Sequence, residues 1–259
     1  MKTRYFVWAL IALISLGFTA CVPNIELEGN AWTGNWTYTE DGESYAIEVT
    51  MIFTDDKSGT LFLSENYEGD AVGGCLVMPF TYTWEDNRGT VSATLDLPNE
   101  WKGRKAKGTY SFSFTMYYTK VEGLVVTSGD IERLFEIPFT SIPFVKRDYA
   151  TPTTMVGTSW TMDYDDVLEA EEGNDAIQIH YHYQLEFVDA NGAVLNLTMN
   201  EYGDETTSER WNVNYTYDKG VGRTSVYFEG ETVKGGFYMP NNQRMIFSDG
   251  VNLLQLSKQ

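Results

Sequence analysis

Ile177-Gln178-Ile179-His180-Tyr181-His182-Tyr183-Gln184-Leu185-Glu186-Phe187 alternates without a break, apolar or aromatic at every odd position and polar at every even one. Successive side chains point to opposite sides only along an extended chain, so this pattern predicts a strand with one wet and one buried face. The same period of two runs through Tyr45, Ile47, Val49, Met51 and Phe53, through Phe80, Tyr82 and Trp84, and through Tyr110, Phe112, Phe114, Met116 and Tyr118. Between such runs lie Asp55-Asp56-Lys57-Ser58-Gly59, Asp86-Asn87-Arg88-Gly89, Asp189-Ala190-Asn191-Gly192, Asp218-Lys219-Gly220 and Ser248-Asp249-Gly250. These are short links in which Gly or Asn can take positive φ, the chemistry of hairpins. The breaks mark about eight strands in each half of the chain. An up-and-down meander of that size loses its unpaired edges by closing into a barrel, so the fold class expected is all-β.

The two halves repeat. Leu27-Glu28-Gly29-Asn30-Ala31-Trp32-Thr33 lines up with Met155-Val156-Gly157-Thr158-Ser159-Trp160-Thr161, sharing Gly-x-x-Trp-Thr at an offset of 128 (157 − 29). Phe53 to Leu63 matches Phe187 to Leu197 with a one-residue gap, Tyr82-Thr83-Trp84 answers to Tyr215-Thr216-Tyr217, and Ile131 to Ile137 answers to Val251 to Leu256. A period above 100 residues implies two domains rather than a solenoid, whose units are 20 to 50 residues long. Between them, 146–154 holds Pro152 among polar residues and has no periodic pattern, so it is expected to be a linker.

Lys2 and Arg4, the apolar run from Tyr5 to Phe18 and the small residues before Cys21 have the order of a secretory signal. Gly17-Phe18-Thr19-Ala20-Cys21 resembles the lipobox of bacterial lipoproteins, with Phe18 where Leu is usual. That resemblance implies that Cys21 becomes the first mature residue and carries acyl chains, which at about 0.8 kcal/mol per buried CH₂ hold a protein on a membrane. The alternative is simple secretion with cleavage after Ala20. Lipidation of Cys21 leaves Cys75 as a lone thiol, so a hydrophobic core and not a disulfide must hold the fold. Cys75 itself reads as a small buried or loop hydrophobe rather than a nucleophile.

Loss of Lys2 and Arg4 with the signal takes the net charge from −19 to −21, which repels phosphate backbones and argues against a nucleic-acid partner. One basic stretch stands out, 102–107 inside the loop Pro98 to Gly108, with four Lys or Arg beside Trp101. It reads as a solvated hairpin loop, with contact to an anionic ligand as the alternative.

Gly-x-x-Trp at the first strand, an eight-stranded meander and a lipoprotein signal together resemble the lipocalin-like domains of Bacteroidetes lipoproteins, here in tandem. Lipocalins carry Gly-x-Trp, one residue shorter. The resemblance implies a signal peptide (1–20), a lipid-anchored tether (21–28), one barrel (29–145), the linker (146–154) and a second barrel (155–259). It also implies that Trp32 and Trp160, with Gly29 and Gly157, close one end of each barrel; ordinary core packing of the two indoles is the other reading.

Little in the sequence points to catalysis. His180 and His182, the two histidines, share one face of a strand at a spacing some zinc sites use, but that face is the wet one and a third ligand is not identifiable, so no metal is expected. Asp163-Tyr164-Asp165-Asp166 does not complete a calcium loop. A Gly-x-Ser-x-Gly elbow, a phosphate loop and a dinucleotide fingerprint are all missing, and no cofactor is implied. The expectation is a non-enzymatic lipoprotein on the bacterial outer membrane, facing the periplasm or the cell surface, that binds a small apolar or sugar-like molecule for an envelope partner. Trp101, Tyr117 and Trp211 are the candidate stacking surfaces, with core or loop packing as the alternative for each. Solid barrels acting as a structural or protein-interaction module are the rival reading, and an envelope hydrolase is a third.

Overall fold

The structure is a computed structural model that describes residues 24–40, 42–67, 73–97, 100–101, 104–105, 108–130, 137–168, 177–201, 206–228, 230–250 and 252–259; of 40, 67, 96–97, 100–101, 104–105 and 168 it describes the backbone alone. Cys21 and the signal therefore lie outside the described residues, as do 131–136 and Val251 of the repeat and most of the basic stretch 102–107.

The chain is all-β. Its N-terminal half contains β1 (Asn30–Glu40), β2 (Glu43–Phe53), β3 (Ser58–Tyr67), β4 (Gly73–Glu85), β5 (Arg88–Leu97), the two-residue strands β6 (Glu100–Trp101) and β7 (Arg104–Lys105), β8 (Gly108–Thr119), β9 (Gly123–Gly129) and β10 (Pro143–Arg147). The C-terminal half contains β11 (Ser159–Leu168), β12 (Ile177–Phe187), β13 (Gly192–Glu201), β14 (Thr206–Asp218), β15 (Val221–Phe228), β16 (Glu231–Asn241), β17 (Arg244–Ser248) and β18 (Asn252–Lys258). Helix among the described residues is limited to one 3₁₀ turn, Phe139–Ser141.

In the C-terminal half every strand is antiparallel to the next, and β18 returns to β11 through Trp160↔Lys258 and Thr161↔Ser257. This is an eight-stranded antiparallel barrel, an architecture compatible with a lipocalin-like fold. The eight long strands of the N-terminal half pair in the order β4-β3-β2-β1-β10-β9-β8-β5, with a further β4–β5 ladder, while β6 and β7 pair with each other. A short ladder, Asn252↔Gly74 and Leu253↔Gly73, joins β18 to β4 and makes one 16-stranded sheet of the long strands.

The alternation seen in β12 governs what is inside. Leu185 and Phe187 are buried and Tyr183 half-buried, while Ile177, which the pattern assigns to the inner face, is exposed where the strand begins. The inward positions of the two halves build separate cores. One is centred on Val49, Met51, Phe53, Leu61, Met78, Phe114 and Phe144, the other on Leu185, Phe187, Phe237, Met245 and Phe247. Each core removes side chains that are worth about 1.5–3 kcal/mol apiece in transfer free energy.

The repeat extends to individual hydrogen bonds. The Gly29 amide donates to Phe53 O and the Gly157 amide to Phe187 O, both at positive φ (71° and 79°). The side chains of Asp55 and Asp189 accept from the amides two and three residues on, and the hydroxyls of Tyr82 and Tyr215 donate to the carbonyls of those same aspartates at 2.7 Å. Trp84 Nε1 donates to Ile25 O and Tyr217 Oη to Pro152 O, so each half ties down the segment that precedes its first strand. In these turns Ser58 stands where Gly192 stands, because each amide closes onto its own Asp and the Phe53↔Gly59 pair corresponds to Phe187↔Ala193. The offset is thus constant at 134 from Phe53↔Phe187 to Leu63↔Leu197, and the one-residue gap read into the sequence is removed.

Between the halves lies a third, smaller cluster of Ala31, Ile52, Phe62, Cys75, Val221, Tyr238 and Leu253. Ser248 Oγ donates to Cys75 O at 3.0 Å, and the Phe62 and Tyr238 rings meet at 4.8 Å. Cys75 is fully buried there, and burial pushes its thiol up to about 12. The stretch read as a linker begins inside β10 and continues to Ala150, whose amide donates to Met239 O.

Candidate functional site

The two ends of the C-terminal barrel differ. At one, Met155 and Trp160 are buried under the turn at Gly157, and Trp160 Nε1 donates to Thr158 Oγ1 at 3.0 Å. Lys258 Nζ lies 5.9 Å from the centre of the Trp160 ring. Trp32 occupies the matching place in the N-terminal half, 5 % exposed and edge-on to Tyr118 at 5.8 Å, with its Nε1 unpartnered.

At the other end the barrel opens. A cavity of about 390 Å³ is lined by Tyr183, Leu195, Leu197, Trp211, Val226, Phe228 and Val233, with Glu209, Asp249 and Asn252 as its polar members. These residues come from six of the strands and one turn, all at positions whose parity along each strand matches the buried core below. Trp211 and Phe228 form a tilted pair at 6.2 Å, and Phe228 remains 45 % exposed. Tyr164 stacks on Tyr181 at 4.6 Å and faces Tyr183 at 6.3 Å, which continues the aromatic lining toward β11. Burial raises the Tyr183 phenol above its ordinary value, a shift partly opposed by its hydrogen bond with Tyr164, and Asp249 and Glu209 raise it further.

The N-terminal half fills the equivalent space. Between β9 and β10 the chain carries Ile137, Phe139 and Ile142 into the core, all 2 % exposed or less. Gly34 on β1 makes room for them: a side chain there would run into Ile142. The position 128 residues on is Met162, and the link between β17 and β18 is only 249–251, too short to supply a plug. The C-terminal half has only this short link between β17 and β18, and the cavity stands at that end of its barrel.

Of the three stacking candidates, Trp211 lines this cavity. Tyr117 lies on the outer face of β8 in a groove with Trp84 and Arg88, its hydroxyl donating to Glu122 at 3.3 Å, and so is not brought to Trp211. Trp101 is on β6, and its side chain is outside the described residues. Glu209, Asp249, Tyr183 and Phe228 did not emerge from the sequence reading. Parity could have found two of them, since Glu209 and Trp211 share a face of one strand, as do Tyr183 and Leu185.

His182 Nδ1 is 2.6 Å from Asp163 Oδ1, and His180 lies between Asp165 (Nδ1, 2.8 Å) and Asp163 (Nε2, 3.4 Å), all on the outer face of β11 and β12. Hydrogen bonding to Asp165 raises the His180 pKa. Among the described residues no group of three or more His, Cys, Asp and Glu side chains is arranged to hold a metal. Between the halves, a cleft of about 490 Å³ is bordered by Glu48, Arg147, Tyr149, Tyr238 and Arg244. Burial raises the Glu48 carboxyl, with Arg147 and Tyr238 acting against the shift.

No protein-family model matches the chain, and no curated protein matches it either.

Proposed function

We propose that this protein is a non-enzymatic binding lipoprotein of the cell envelope, a tandem of two lipocalin-like barrels in which the C-terminal one holds a small, largely apolar molecule. The observation that carries the reading is the aromatic-lined cavity at one end of a barrel in which Trp160 is buried toward the other. Concave, mostly apolar spaces with a few convergent polar groups are where small ligands bind, and about 390 Å³ suits a molecule of one or two rings. The N-terminal half, read as the second barrel, serves as a packed support, since Phe139 and its neighbours occupy the corresponding space. Cys21 carries the lipid, and the protein is held on the outer membrane, where it passes its ligand to an envelope partner.

The test is displacement of an environment-sensitive apolar dye from the purified full chain, with and without Trp211→Ala. Saturable binding at one site, weakened at least tenfold by the substitution, is expected. A chain that binds no such probe, or binds it equally well without the Trp211 ring, overturns the reading. Mass spectrometry of protein taken from its own envelope checks the anchor, since fatty acyl mass on Cys21 is required.

A further inference from the structure

We infer that the ligand of the C-terminal barrel is an organic cation, an amine or quaternary ammonium carried on an apolar body; the inference rests on the binding role proposed above. The charged side chains that line the cavity are Glu209 and Asp249, and the described lining contains neither Lys nor Arg. Glu209 is on the inward face of β14 two residues from Trp211, and Asp249 is in the turn between β17 and β18, so the carboxylates come from separate parts of the barrel. The rings of Trp211, Phe228 and Tyr183 line the same space.

Each component narrows the chemistry. Aromatic faces attract cations through the ring quadrupole, most strongly where water is excluded. Two carboxylates beside them favour positive charge, repel a fatty acid or any other anion, and offer a neutral hydrocarbon no advantage. Asp249 accepts from the Asn252 amide at 2.8 Å and from its side chain at 3.0 Å, which fixes the carboxylate in place.

Three probes of one body size separate the possibilities: 2-phenylethylammonium, 2-phenylethanol and 3-phenylpropanoate, titrated calorimetrically into the full chain at low salt. The ammonium should bind about tenfold or more tighter than the alcohol, and the carboxylate weakest of all. Raising the salt should narrow that gap, and Glu209→Gln with Asp249→Asn, which keeps an acceptor for the Asn252 amide, should bring the ammonium to the level of the alcohol. An alcohol that binds as well as the ammonium overturns the inference and leaves the binding role standing. Failure of all three probes, and of the apolar dye, removes both. A cation preference that survives the double substitution also overturns the assignment, because its source then lies outside these two carboxylates.

Discussion

Asp55 shows how one side chain can set a turn. Its carboxylate accepts from the Lys57 amide at 2.8 Å and the Ser58 amide at 2.6 Å, and from the Ser58 hydroxyl at 2.5 Å. Its pKa is lowered, first by the hydrogen bond from the Ser58 side chain and then by that from the Lys57 amide. A carboxyl whose folded pKa is depressed stabilises the fold above its unfolded value, near 3.9, and that contribution is lost as the pH falls through the folded value. Denaturant midpoints of the parent and Asp55→Asn should therefore differ most at neutral pH and converge in acid; a constant difference down to pH 2 contradicts this. Gly157 makes a second demand at single-residue scale. Its φ of 79° belongs to the left-handed region, and a Cβ there meets nothing within 4 Å, so substitution costs backbone conformation alone. Gly157→Ala should lower stability by about 1–2 kcal/mol, with Gly157→Asn milder, in equilibrium unfolding. A neutral Gly157→Ala would show that the turn relaxes.

Strands were the most legible element, because a period of two states which side chains are inside before anything is known of their neighbours. What periodicity misses is material added between strands. Ile137, which the repeat in the sequence set against the end of β18, lies instead between β9 and β10 with Phe139 and Ile142, all three buried in the N-terminal core, and the repeat gave no sign of this insert. Trp211 was legible as a stacking residue, whereas Asp249 was hidden in a turn that reads as solvent-exposed. Phe139→Ala should leave a void where the ring is now fully buried, and cost about 3–5 kcal/mol. It should also give the N-terminal half a dye-binding space of its own, so that Phe139→Ala combined with Trp211→Ala restores the dye binding that Trp211→Ala alone removes. A double variant as silent as Trp211→Ala would mean that the insert collapses into the void.

At the scale of the whole molecule, the departure from alternation in β2 carries the information. Met51, Ile52 and Phe53 are all fully buried, although a strand can turn only two of three successive residues to one core. Ile52 faces away from Met51 and Phe53, and what covers it is the cluster shared with Val221, Tyr238 and Leu253 of the other half. Reading each half by itself could not supply that cover. The β18–β4 ladder, the Ser248–Cys75 hydrogen bond and the Phe62–Tyr238 contact all lie along this seam. The Lys219–Glu28 pair at 3.1 Å also bridges the halves, but both side chains are about half exposed, and such pairs add little. Cooperativity between the halves should depend on the apolar seam. The parent chain should melt in one calorimetric transition, and Leu253→Asp, which places a charge where the side chain is 2 % exposed, should split it into two. Glu28→Gln should leave the single transition intact. Two transitions in the parent chain would mean that the halves fold independently and that the buried face of Ile52 couples nothing, whereas a single transition that survives Leu253→Asp would place the coupling elsewhere, along the segment from β10 to Ala150 that also ties one half to the other.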